Sequence, residues 1–168
     1  MDNANWLERL MGMSDATWKR HASPWSVWTR VPILPLFALA IWARVWIGWW
    51  CLLPVALLAL WTFLNPRAFP APPSTRTWAS MATFGERVWL KRKAQTIPAH
   101  HAQAAMILSI LSGIGVLALV YGLVVLNLWA LLCGLAVTLL SKLWFLDRMV
   151  WLYEDMKDSN AEYRSWLY

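Results

Sequence analysis

The sequence predicts an all-α integral membrane protein: four transmembrane helices arranged as two hairpins, accompanied by amphipathic cytoplasmic helices. Three observations lead there. Hydrophobic residues make up 60% of the 168-residue chain, against about 45–50% in soluble globular chains. There are 15 Trp, and indole, with an apolar body and one polar edge, is at ease at the lipid headgroup level. Residues 102–141 carry no charge. As one straight helix that run would be about 60 Å long, twice a hydrocarbon core of roughly 30 Å, so it must cross twice.

Within that run Asn127 is the strongly polar residue near the middle, with Trp129 beside it. The turn is expected there, between helices over about residues 103–125 and 128–146. The preceding apolar region, Val31 to Leu64, is interrupted once, by Arg44. Trp42, Trp46, Trp49 and Trp50 cluster around Arg44 as an interfacial belt at a hairpin tip, and Trp25, Trp28 and Trp61 mark the opposite interface. This predicts one helix from about Trp25 to Ala43 and another over about 46–64, bent at Pro32, Pro35 and Pro54, which neighbouring helices tolerate in lipid. A re-entrant hairpin that does not fully cross is the alternative for this shorter pair. The whole is one membrane domain, 1–168. It comprises an N-terminal segment (1–24), a first hairpin (25–64), a Pro-rich loop with a basic helix (65–101), a second hairpin (102–146) and an acidic C-terminal helix (147–168).

Orientation follows from charge. If both hairpins cross, the N-terminus, the 65–101 loop and the C-terminus share one side, which holds 14 of the 15 Lys and Arg residues. The positive-inside rule assigns that side to the cytoplasm and the protein to the cell membrane. The net charge of +6 is spread around apolar runs rather than gathered in a basic arm. It therefore favours anionic lipid headgroups over nucleic acid as partner. Residues 1–30 interleave charges with apolar residues and lack the uninterrupted apolar core of a secretory signal. Cys51 and Cys133 lie in apolar stretches and read as free, inert thiols.

Small residues favour helix association in lipid. Ser109, Ser112, Gly113, Gly115, Ala118 and Gly122 on one helix, and Ala130, Gly134, Thr138 and Ser141 on the next, predict close packing of the second hairpin; a homo-oligomer or membrane partner protein would use the same stripe. In the loop, four Pro within NPRAFPAPP (65–73) argue against helix. Ser74-Thr75 is the expected N-cap of a basic amphipathic helix with Trp78, Met81, Gly85, Val88 and Trp89 on its apolar side. That helix would lie on headgroups or cover the bundle end. The tail from 142 continues as an amphipathic helix with the apolar stripe Leu143, Leu146, Val150 and Tyr153, and its acids should dock on the basic loop.

The segments WKRHASPWSVWTR (18–30), NPRAFPAPP (65–73), FGERVWL (84–90) and FLDRMVWLYEDM (145–156) resemble a family of small Trp-rich prokaryotic integral membrane proteins catalogued only as a domain of unknown function. The resemblance covers nearly the whole chain. It implies a membrane protein and no particular chemistry.

The candidate site is a cytoplasmic polar cluster: His21, Arg67, Glu86, Arg87, His100, His101, Asp147, Arg148 and Asp155. Glu86 and Asp147 each have an adjacent Arg, and the arginines, Arg30 included, have forked donors suited to a lipid phosphate or another anion. No H-x-x-x-H, E-x-x-H or H-E-x-x-H spacing occurs. Adjacent His residues on a helix also diverge by about 100°, so no metal and no cofactor are expected. An accessory or scaffold protein acting through its cytoplasmic face is the leading reading. A small membrane enzyme with an interfacial His/carboxylate site, and a homo-oligomeric channel or carrier, are the alternatives.

Overall fold

A computed structural model describes residues 14–168. The first part of the expected N-terminal segment, residues 1–13, and with it part of the 1–30 region bearing on a signal sequence, lies outside the described residues. The described residues are helical, with no strand among them. We number the helices α1 (Asp15–His21), α2 (Pro24–Trp28), α3 (Ile33–Trp42), α4 (Arg44–Ile47), α5 (Leu52–Ala68), α6 (Trp78–Leu90), α7 (Ala99–Val125), α8 (Leu128–Met156) and α9 (Ala161–Arg164), with a 3₁₀ turn at Gly48–Cys51.

Three helical runs are long and apolar enough to cross a membrane: Pro24–Ala68, Ala99–Val125 and Leu128–Met156. Only 28% of the most apolar stretch of α7 and 22% of that of α8 are buried. Leu117, Val124, Leu132 and Leu140 all face outward. In water such a surface would drive association, because monomeric soluble proteins rarely expose so much continuous apolar area.

The turn between α7 and α8 falls where Asn127 predicts it. Leu126 takes a left-handed conformation, and the Asn127 side chain caps α8 by accepting from the Ala130 N–H at 2.9 Å. The helices then run antiparallel, with Gly115 against Thr138, Gly134 against Leu119 and Gly122 against Leu131. A Cβ on Gly115 would sit 2.7 Å from the Thr138 nitrogen and 3.0 Å from the Gly134 oxygen. The backbones therefore touch, which is how small residues hold helices together in lipid. Gly113 is different, with nothing near its missing Cβ.

The first apolar run departs from the expected pair of helices. The helix expected over 25–43 is interrupted, α2 passing through turn residues 29–32 into α3, because Pro32 has no N–H to continue α2's ladder. The second begins at Leu52 rather than 46, since Gly48 has a positive φ (56°) at the tip. It also extends through Asn65, Pro66 and Arg67 to Ala68, contrary to the expectation that 65–73 is wholly non-helical. Asn65 explains this extension. Fully buried, it accepts from the Ser26 hydroxyl at 2.9 Å and donates to the Thr29 hydroxyl at 2.8 Å, fixing the last turn of α5 against α2. α3 packs on α5, and Ala38 on α3 packs with Leu119, Leu123 and Leu131 of α7 and α8. At the tip, the Arg44 guanidinium donates to the Leu123 and Val124 carbonyls, satisfying orphan acceptors at the C-terminal end of α7.

α8 continues beyond the apolar bundle without a break, and its second half packs against α6. Gly85 makes that contact possible, because a Cβ there would overlap the Met149 carbonyl. α6 begins two residues later than expected: Thr77 is the N-cap, accepting from the Ser80 N–H at 3.2 Å. Thr75 is instead buried, donating to the Trp166 carbonyl at 2.9 Å and so holding the tail. α6 is buried on much of its circumference, through Ala79, Ala82, Thr83, Phe84, Gly85 and Val88. Of the two placements open to it, the packing takes the one that covers the bundle end.

Gly134→Val should lower the unfolding free energy in detergent by about 1–3 kcal/mol through overpacking, read as a lower thermal midpoint. Gly113→Val should be nearly neutral. Equal effects of the two would contradict the α7–α8 register.

Candidate functional site

The nine residues expected to form one polar cluster separate into four places. Adjacent residues on a helix point about 100° apart, so the neighbours Glu86 and Arg87 leave α6 in different directions and find different partners.

Glu86 pairs with Lys142 of α8 at 2.7 Å, not with Arg87. Its side chain is 21% exposed and that of Lys142 is 51% exposed. Around the pair stand His21 of α1, Arg30 from the turn after α2 and Arg67 from the end of α5, all lining a cavity of about 660 Å³. A second cavity, of about 200 Å³, reaches Arg30, Glu86 and Lys142 from the side of α7 and α8. Burial pushes the Glu86 carboxyl up, but the charge and hydrogen bond of Lys142, with Arg30 and His21, outweigh it and hold the pKa below its usual value. His21 is buried, its Nδ1 3.4 Å from the Ser26 hydroxyl. Desolvation first, then the nearby Arg30 and Lys142 charges against the opposing pull of Glu86, lower its pKa to about 3, so it is neutral at physiological pH.

Arg87 points the other way. It pairs with Asp15 of α1, lies 3.7 Å from Glu162 of α9, and is flanked by the Trp18 and Trp166 rings. Lys91 pairs with Glu162 at 3.1 Å. The acidic tail therefore does dock on the basic loop, here by α9. A cavity of about 380 Å³ lies between α1, α6 and the tail.

Asp147, one of the tail acids expected to dock on the basic loop, meets no base of that loop among the described residues. It pairs instead with its neighbour Arg148 at 3.0 Å, and the contact from elsewhere is the Trp78 indole N–H, donating at 3.3 Å. The offset has a simple cause: Met149 is the α8 residue backed against Gly85, which turns Asp147 toward the start of α6 rather than toward its basic end.

His100, His101 and Asp155 form the fourth place. The His101 Nε2 is 2.9 Å, and the His100 Nε2 3.9 Å, from the same carboxylate oxygen of Asp155. Their ligand atoms all lie within 4.8 Å of one another. The divergence expected of adjacent His residues is overcome by the reach of the imidazoles, whose ring centroids are 4.1 Å apart. His101 is buried, and its Nδ1 has no hydrogen-bond partner among the described residues.

Sequence reasoning missed Lys142, Asp15, Asn65 and the Ser26 hydroxyl. Asn65 carried a signal, as a lone amide at the end of an apolar helix; the partners of Lys142 and Asp15 depend on how distant segments pack.

The profile described as Family of unknown function (DUF6653) matches residues 4–166 of the chain. The chain belongs to this family. No curated protein and no solved structure matches it.

The His21 shift makes a prediction with a definite sign. A buried His with a folded pKa near 3 binds fewer protons than the unfolded chain between about pH 3 and pH 6.5. Its contribution is intact above pH 6.5 and is lost progressively as pH falls toward 3. Thermal stability in detergent should fall from pH 7 to pH 5, by at most about 1.4 kcal/mol per pH unit from this residue, and His21→Gln should flatten the fall. Unchanged steepness in the variant would contradict the assignment. Glu86→Gln should cost more than the ~1 kcal/mol of an exposed pair and less than the ~3–5 kcal/mol of a fully buried one, read as the loss of thermal stability at pH 7.

Proposed function

We propose that this protein is a multi-pass cell-membrane protein with four spans in two hairpins, its N-terminus, 65–101 loop and C-terminus all cytoplasmic. It acts as an accessory or scaffold protein through the cap formed by α1, α6, α9 and the second half of α8. The observation that carries this reading is the uneven distribution of charge over the fold. Arg44 and the α7–α8 turn lie together at one end, where the Arg44 side chain caps α7. Ion pairs that join separate segments, Arg87–Asp15, Lys91–Glu162 and Lys142–Glu86, gather at the other, together with the His101–Asp155 hydrogen bond. The exposed Trp46, Trp49, Trp50 and Trp129 fit an interfacial belt around the first end. A cap tied by so many intersegment contacts is a preformed surface, suited to binding a membrane partner protein or a second copy of the chain.

His100, His101 and Asp155 support a second reading, that of a small membrane enzyme using a divalent cation at the cytoplasmic interface. Two imidazoles and a carboxylate are an ordinary ligand set for zinc, with a fourth position left for water. Zinc bound at one equivalent by the purified protein, and lost in His101→Ala, would favour the enzyme reading. Protein that binds no zinc under the same conditions favours the scaffold.

Reporter fusions test the topology. Fusions at residues 1, 85 and 168 should report cytoplasm and one at 127 the outside. An external signal from residue 85 would remove the two-hairpin arrangement.

A further inference from the structure

Among the described residues, the cavity around Glu86 is lined by one guanidinium that no carboxylate meets within ion-pair distance, that of Arg30. Three bases line it, Arg30, Arg67 and Lys142, against one carboxylate, Glu86, while His21 is neutral. Glu86 is taken up by Lys142 at 2.7 Å. Arg30 spends its Nε on the Ser26 carbonyl at 3.0 Å and makes no ion pair among the described residues. The terminal nitrogens of its guanidinium therefore have no carboxylate partner there. A planar guanidinium supplies its donors as a fork that matches the oxygens of a phosphate.

Apart from His21 and Thr62, whose hydroxyl donates to the Leu58 carbonyl at 2.8 Å, the rest of the wall is apolar. Ala59, Phe63 and Pro66 of α5 face Phe145 of α8 across the cavity. From Phe63 the exposed apolar surface of α5 continues through Leu60 and Leu57 to Leu53. A charged recess thus opens onto an uninterrupted greasy strip. A free anion has no use for the strip, and an apolar ligand has no use for the recess, whereas an amphiphile uses both.

We propose that this cavity binds the phosphodiester headgroup of an anionic phospholipid, held by Arg30, Arg67 and Lys142, with an acyl chain laid along α5. The inference rests on the membrane reading above and adds to it a specific lipid as ligand. Bound there, the lipid would join α5 and the turn after α2, already tied through Asn65, to α8, and so would brace the first hairpin against the second.

The test uses the full-length protein purified in a neutral detergent and stripped of lipid. Phosphatidylglycerol, phosphatidylcholine and inorganic phosphate are each added, with binding read by native mass spectrometry and by the shift in unfolding midpoint. Phosphatidylglycerol should bind and stabilise at least about tenfold more tightly than phosphatidylcholine, as expected for charge-assisted phosphate contacts in a partly dry site. Inorganic phosphate should give no shift at the same concentration. Arg30→Gln should lose the preference, while the exposed Arg76→Gln should keep it. Should Arg30→Gln fail to fold, Arg30→Lys, which keeps the charge and lacks the fork, should weaken the preference in the same direction. Retention of the preference in the Arg30 variants, or equal loss in Arg76→Gln, overturns the site. An equal response to inorganic phosphate overturns the lipid as its occupant. Alkaline carbonate extraction of membranes from the cells expressing the protein separates the two claims. Protein that stays in the pellet yet has no lipid preference refutes only the phosphate site, whereas wild-type protein released to the supernatant refutes the membrane reading itself.

Discussion

α8 is one unbroken helix of 29 residues that packs two quite different neighbours, and the rest of the architecture is arranged around that continuity. Its first half meets α7 through Gly115, Gly122 and Gly134 at backbone contact; its second half meets α6 through Gly85, also at backbone contact. A helix of this length is about 44 Å long, more than a hydrocarbon core is thick. In a bilayer it cannot be wholly immersed. The apolar half and the half bearing Asp147, Arg148, Glu154 and Asp155 are therefore rigidly coupled, and whatever fixes one fixes the depth of the other.

The cap follows from that coupling. Once α6 is seated on Met149, its two faces are assigned: Glu86 toward the bundle, where Lys142 meets it, and Arg87 toward α1 and the tail, where Asp15 and Glu162 meet it. Tyr153, fully buried at the centre of the cap, donates to the Tyr163 carbonyl at 3.0 Å and draws the tail back over Phe84. Buried polar groups of this kind constrain geometry more than they add stability, because desolvation offsets much of their Coulomb gain. The apolar contacts of Phe84, Val88, Met149, Leu152 and Trp166 supply the cohesion, and the ion pairs select the register.

How much of this was legible depended on whether the signal was local. The turn at Asn127 and the small-residue seam were readable because a polar residue in a long apolar run, and Gly at helical spacing, act on their immediate neighbours. The fourfold division of the polar residues was not. Pairing Glu86 with Arg87, and Asp147 with Arg148, follows from adjacency in sequence; the first fails because neighbours on a helix diverge, while the second survives because no base of another segment comes closer among the described residues. Thr75 and Asn65 depart from their local signals for a related reason. Each carries local signals, of an N-cap and of a Pro-rich loop, that tertiary hydrogen bonds to Trp166 and to Ser26 and Thr29 override.

The central claim is that α8 passes from lipid to water along its own length, with the Glu86–Lys142 pair marking the boundary. Single spin labels on its outward positions, in protein reconstituted into bilayers with Cys51 and Cys133 replaced by Ala, report this directly as accessibility to oxygen against a water-soluble nickel chelate. The positions of choice are Leu132, Leu140, Trp144 and Trp151, which face outward, and Asp158 just beyond the helix. Oxygen should dominate at 132 and 140, the two should cross between 144 and 151, and the chelate should dominate at 158. Chelate access throughout would contradict the account, as would a crossing on the other side of residue 140.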